Sequence, residues 1–240
     1  MKKFSRIIVM SVMILFPVTL NAQVLITILL GDALNTDKIE FGLIGGMNRS
    51  TITTIDDAKG MNNFDLGFYF HILMKKNSYL STGVLVKSNV GATGMATYPL
   101  GDEDFDAVYE NGTLTKKINC FTVPILFHQR FNNRWYMEAG PSLALIFKPS
   151  DIFEESALEG DLTYKKIVKD QYKHIDAGLM AGAGYKFKKQ TKSMSAGINY
   201  YYGLVDVSNT SDLTIKNSAV YFYLKIPIGV GKKPTEEVVN

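Results

Sequence analysis

The segment Ile175–Val207 reads IDAGLMAGAGYKF, then KKQTK, then SMSAGINYYYGLVDV: two alternating runs around a basic five-residue turn. In the first run Ile175, Ala177, Leu179, Ala181, Ala183, Tyr185 and Phe187 share one side, and Asp176, Gly178, Met180, Gly182, Gly184 and Lys186 the other. In the second, Met194, Ala196, Ile198, Tyr200, Tyr202 and Leu204 oppose Ser193, Ser195, Gly197, Asn199, Tyr201 and Gly203. A period of two means strand, because successive side chains leave a pleated backbone on opposite faces. A soluble sandwich hides its apolar face and shows charge outside. Here the bulky apolar side opposes a side of glycines and polar residues, which predicts the inverse: apolar residues against lipid around a small, polar interior.

The same pattern recurs along the chain. Further strands are predicted at Ile39–Ser50, Phe64–Met74, Tyr79–Val90, Ile118–His128, Trp135–Phe147 and Ala219–Val230. Each exceeds the roughly 9–11 residues a tilted strand needs to cross a bilayer. With the opening hairpin this makes eight spans, an even number that closes into a ring without leaving an edge in lipid. The links Lys75–Ser78, Gln129–Arg134 and Lys188–Lys192 are short and basic, whereas Thr51–Asn63, Gly91–Lys117, Lys148–Lys173 and Ser208–Asn217 are longer and polar. Alternation of short and long links is the habit of outer-membrane barrels, with tight periplasmic turns and roomier outer loops. The predicted fold is therefore all-β, an eight-stranded antiparallel up-and-down transmembrane β-barrel over residues 38–230.

Flanking segments are read separately. Lys2, Lys3 and Arg6 precede the apolar Ile7–Phe16, and Leu20-Asn21-Ala22 is a cleavage site, so residues 1–22 are expected to be an export signal. Residues 23–37 form a short periplasmic leader with a helical piece in Val24–Leu34, and residues 231–240 a periplasmic tail. After residue 31 no stretch is long and apolar enough to span a membrane as a helix.

Composition is 46% hydrophobic, 20% charged and 12% aromatic, with net charge +3. Basic residues are dispersed among turns rather than gathered in a patch, which argues against nucleic acid. Cys120 is the single cysteine, so neither a disulfide framework nor a cysteine-based zinc site is available. Gly182-Ala183-Gly184 lies within a strand and opens no helix, so it is not a nucleotide loop.

With these pieces assembled, the chain resembles the PorT-family outer-membrane β-barrels of Bacteroidota. The resemblance is carried by VLITILLGDALNTDKIEFGLIGG, FTVPILFHQRF, YMEAGPSLALI, AGLMAGAGYKF and NYYYGLVDV in that order. Thr122 stands where the family often has an acidic residue, and the chain continues through Gly231–Asn240 rather than stopping at a terminal aromatic. The resemblance implies the outer membrane of a Gram-negative cell. It assigns no activity.

Candidate chemistry lies on the inward parity. Glu40, Glu138, Lys186 and Lys225 all point to the interior near the periplasmic end, and buried charges persist only when paired. A lumen network joining these four, with His71 as a further partner, is predicted. Its bland role is a polar plug, since eight strands leave an interior that side chains nearly fill; its functional alternative is a narrow ion or solute path. Ser142, His71 and Glu138 contain the residue types of a hydrolase, and His71, His128 and Glu138 those of a metal site, but no spacing motif supports either. No catalytic, cofactor or metal residue is assigned. The outer loop Gly91–Lys117 carries Asp102, Glu103, Asp104, Asp106 and Glu110, a solvated surface or a site for cation bridging to lipopolysaccharide or for a partner. The expected function is structural or interactive rather than enzymatic, with outer-membrane lipid or lipopolysaccharide, or a protein at the outer loops or periplasmic face, as partner. A transport barrel, a lipid-modifying enzyme and a soluble ligand-binding barrel are the alternatives.

Overall fold

In a computed structural model, which describes residues 34–157, 160–190, 192–211 and 213–228, the alternating segments become one closed antiparallel ring. The expected signal segment 1–22, most of the leader and the tail 231–240 lie outside the described residues. The elements are β1 (Ile39–Ile52), β2 (Lys59–Lys75), β3 (Ser78–Ala96), α1 (Glu103–Tyr109), β4 (Thr113–Arg130), β5 (Trp135–Ala157), β6 (Gly160–Ile167), β7 (Ile175–Lys186), β8 (Ser195–Gly203) and β9 (Asn217–Pro227). Around the ring the order is β1-β2-β3-β4-β5-β7-β8-β9, closed by β9 against β1 from Gly42↔Pro227 to Ile52↔Asn217. Asn35 pins this seam at the end with the short turns, donating to Ile228 O at 2.7 Å and accepting from Phe41 N at 2.9 Å.

Parity sorts the side chains as an inverted protein. On β7, Leu179 is 55% exposed and its neighbour Met180 4%; on β9, Phe222 is 57% exposed and Tyr223 7%. The outward face is the one meant for hydrocarbon, and the inward face holds the charges. The inward glycines make room for aromatic rings. Tyr136 on β5 pairs with Gly184 on β7, Gly184 with Gly197 on β8, and Gly197 with Tyr223 on β9. A Cβ on Gly184 would collide with the Tyr136 phenol, and one on Gly197 with that of Tyr223. The two rings lie over the glycine pair and meet hydroxyl to hydroxyl at 3.2 Å.

Two departures from strict alternation have local causes. Leu66 pairs with Lys87 but Gly67 with Leu85, so Val86 is an extra residue in β3. The bulge re-aims the side chains after it: Lys87 points outward over the Phe64 ring, 5.4 Å from its centroid, and Ser88 becomes buried. A second bulge inserts Phe147 in β5, between the pairs Cys120↔Ile146 and Asn119↔Lys148.

The outer links are the main correction. Of the links expected as loops, Lys148–Lys173 is largely sheet and Gly91–Lys117 is sheet at both ends around α1: β3, β4 and β5 continue past the lipid band and β5 turns back as β6, a ninth strand that pairs with β5. Buried Met95, Leu114, Ile118 and Phe153 carry the apolar interior of the barrel on into this extension. Lys116 and Asp151 form a buried pair at 2.9 Å within it, joined by the Tyr98 hydroxyl at 2.9 Å. Burial, and then the Asp151 carboxylate, push the Tyr98 hydroxyl above its usual range. Helix α1 closes over the sheet through Phe105 and Tyr109, whose rings lie 5.6 Å from Tyr164 and 6.0 Å from Phe153. The chain thus carries a folded outer head.

Candidate functional site

At the end of the barrel with the short turns the lumen is filled by charge. Glu138 on β5 accepts from Lys225 Nζ at 3.0 Å, Asn199 Nδ2 at 2.8 Å and the Tyr223 hydroxyl at 2.9 Å, and lies 2.9 Å from His128 Nδ1. A carboxylate only accepts, so His128 donates from Nδ1, and its Nε2 is then the acceptor that faces Arg130 Nε at 3.3 Å. Arg130 continues to Glu40 Oε2 at 2.9 Å, and Glu40 Oε1 accepts from the Tyr69 hydroxyl at 2.9 Å. His71 lies between these groups, with Nδ1 3.4 Å from Glu40 Oε1 and 2.8 Å from Arg130 Nη2; with its proton on Nδ1 toward Glu40, Nε2 accepts from Lys225 Nζ at 3.3 Å. The rings of His71 and His128 lie 4.4 Å apart, and the Arg130 guanidinium sits 4.0 Å over Tyr79.

Of the five residues predicted for this network, Glu138, Lys225 and His71 come together directly, and Glu40 joins them through Arg130 and His71. Lys186 is buried near Glu40 and Arg130, with which it interacts electrostatically, and its Nζ donates to the Gln190 carbonyl at 2.9 Å. Arg130, His128, Tyr69, Asn199 and Tyr223 complete the network without having been expected in it. Arg130 was legible in principle: β4 runs two residues beyond the predicted His128, so inward parity carries on to it. The network is dense because it must be. Charges removed from water are held only when their remaining lone pairs and protons are also satisfied.

The same packing sets cations against the candidate metal ligands. His71, His128 and Glu138 each offer an atom within 4.8 Å of the others. Lys225 stands on Glu138 and His71, and Arg130 on His128, so an entering cation would meet two fixed positive charges at the ligand lone pairs. Nor is a hydrolytic trio assembled, since the Ser142 hydroxyl has no hydrogen-bond partner. Above the network a cavity of about 40 Å³, lined by Asp65, Leu85, Met180, Asn199 and Tyr221, has room for isolated water. Further out, Ile52, Ala92, Ile118, Ile146 and Val207 belong to a buried apolar cluster.

In the head, Asp102 is the N-cap of α1, accepting from Asp104 N at 3.1 Å and Phe105 N at 3.2 Å. Asp106 accepts from Leu100 N. Glu103 and Asp104 complete an acidic first turn, where the helix dipole favours negative charge. Two of the four predicted acidic residues are thus spent on local structure, and among the described residues the four do not converge on a common point.

The chain resembles solved outer-membrane barrels at low identity. Ail, the attachment invasion locus protein of Yersinia pestis, solved with the heparin analogue sucrose octasulfate, aligns with 80% of this chain and 99% of its own at 9% identity and a TM-score of 0.44. Neisserial surface protein A covers 78% and 96% at 7% identity and 0.38, and OprG from Pseudomonas aeruginosa 79% and 94% at 12% and 0.35. No curated protein matches in sequence. Residues 22–209 match the family described as outer membrane protein beta-barrel domain, and with a lipid-facing ring of eight strands around a polar interior the chain belongs to that family.

Proposed function

We propose that this protein is a non-enzymatic outer-membrane barrel whose lumen is a plug and whose outer head is its working surface. The observation that carries this reading is the lumen itself: a buried network of Glu40, His71, His128, Arg130, Glu138 and Lys225 at one end, with buried apolar side chains such as Ile52, Ile118 and Val207 further along. The plug supplies rigidity, and the head, held up by continuous strands, presents α1 and β6 to the outside. Within the family we place the chain with the PorT-type members, exported by a cleaved signal over residues 1–22, with residues 23–37 a leader, 38–230 the barrel and 231–240 a periplasmic tail. Its partner is taken up at the head or at the basic periplasmic turns.

The test is a planar-bilayer recording of the refolded full-length chain. The expected trace has no steady open-channel current. A stable conductance overturns the plug and favours the ion-path alternative.

A further inference from the structure

Strand β5 changes partner at the outer edge of the lipid-facing band. Its ladder with β7 ends at Leu145↔Ile175, and its ladder with β6 begins only at Ser150↔Ile167. The chain Lys169–His174 crosses the interval, held by Val168 N to Pro149 O at 3.2 Å and Ile146 N to His174 O at 2.7 Å. A hollow of about 280 Å³ results, with Leu145 and Phe147 on one side and Lys169, Tyr172, Lys173 and His174 on the other.

The two sides ask for different chemistry. Leu145 and Phe147 are exposed on the outward side of β5, and Phe147 stacks on Phe121 at 4.7 Å, so this wall is continuous with the hydrocarbon-facing surface. The opposite wall is cationic, with exposed Lys148 beside it on the strand. Among the described residues Lys148 and Lys169 enter no ion pair, and Lys173 Nζ donates to the Asp206 carbonyl at 2.9 Å with the Asp206 carboxylate at 3.9 Å. Positive charge in excess at the edge of a low-dielectric slab is stabilised by an anion seated beside it. A free anion would leave Leu145 and Phe147 unused, and a neutral lipid would leave the cations unused.

We propose that this hollow binds a phosphate of an outer-leaflet glycolipid, with the acyl chains lying along Leu145 and Phe147. The site rests on the chain's place in the outer membrane and not on the closed lumen, so conductance and lipid binding fail separately. The test is native mass spectrometry of the full chain, folded in neutral detergent, with lipid A carrying two phosphates and with the same lipid stripped of them. The phosphorylated lipid should bind roughly tenfold more tightly. Lys169→Glu, which disturbs no pair, should lose much of that preference, and Lys169→Glu/Lys173→Glu nearly all of it. Lys188→Glu/Lys189→Glu on the periplasmic turn should keep it, with heat-modifiable mobility confirming the fold of each variant. Equal binding of the two lipids, or an unchanged preference in Lys169→Glu and the double variant, overturns the proposal. Displacement of the lipid by millimolar inorganic phosphate overturns it too, marking a free-anion site instead.

Discussion

Lys225 on β9 and Glu138 on β5 meet at 3.0 Å across the lumen, although β7 and β8 stand between their strands in the sheet. Only closure of the ring makes them neighbours. The contact ties opposite walls together, and both groups are buried, so neither can fall back on water.

Removing one partner strands the other. Glu138→Gln should lower stability by about 3–5 kcal/mol, because it leaves the Lys225 ammonium buried without its carboxylate. Glu138→Gln/Lys225→Met should recover a large part of the loss. Urea unfolding in lipid, followed by heat-modifiable gel mobility, reads both; a double variant no better than the single would show that the pair is not the coupled unit.

The two faces of β5 and β7 should respond oppositely to substitution. Leu179→Arg, on the lipid face near the middle of β7, should cost about 2–4 kcal/mol. Ser142→Ala, inside, should be close to neutral or stabilising, since it removes a buried hydroxyl that has no partner. The same unfolding assay compares them, and a reversed ranking would mean the faces are assigned the wrong way round.

Gly184→Val should destabilise by about 1–3 kcal/mol, by pushing the Tyr136 ring off the glycine row and breaking its 3.2 Å contact with the Tyr223 hydroxyl. Combining it with Tyr136→Ala should cost less than the sum of the two single changes, because the ring that the new valine side chain would strike is gone. Strict additivity would place the effect in the clash with the Ala196 carbonyl, which lies 2.7 Å from the added Cβ.

The outer turn after β8 should be acid-sensitive. Slight desolvation of the Asp206 carboxyl is outweighed by bonds from Ile215 N at 2.8 Å and Ser208 N at 3.0 Å, which hold it below the usual carboxylate range. A depressed folded pKa means the contribution is complete above about pH 3.9, the ordinary Asp value, and is lost as pH falls through the lower folded value. Amide shifts of Ser208 and Ile215 should therefore hold steady through neutral pH and move only below that point. Movement near pH 6 would assign the response to another group.

Much of the barrel is legible in single residues. Ala177, Leu179 and Ala181 against Gly178, Met180 and Gly182 already separate the lipid face from the lumen, because side-chain direction in a strand is set by counting. Glu138 and Lys225 are readable as inward for the same reason. The head is less readable: Lys116, Lys117, Lys148, Lys165 and Lys166 dilute the alternation of β4, β5 and β6, and their buried apolar partners show only once the strands are paired. Lys87 and Ser88 exchange faces at a bulge, whose position depends on what β2 presents opposite.

Parity decided which wall of each strand meets lipid, and hence that this is a barrel turned inside out, because that property is local and repeats every two residues. The tyrosines of the Ile175–Val207 hairpin and its neighbours, and the glycines beneath them, acquire their purpose only from register. Which acid meets which base, that Arg130 belongs with Glu40, and that β5 leaves β7 to pair with β6 were decided by ring closure. Those contacts join residues 90 positions apart between Glu40 and Arg130, and 87 apart between Glu138 and Lys225. No local pattern encodes such separations, because they depend on where all eight strands of the ring come to rest.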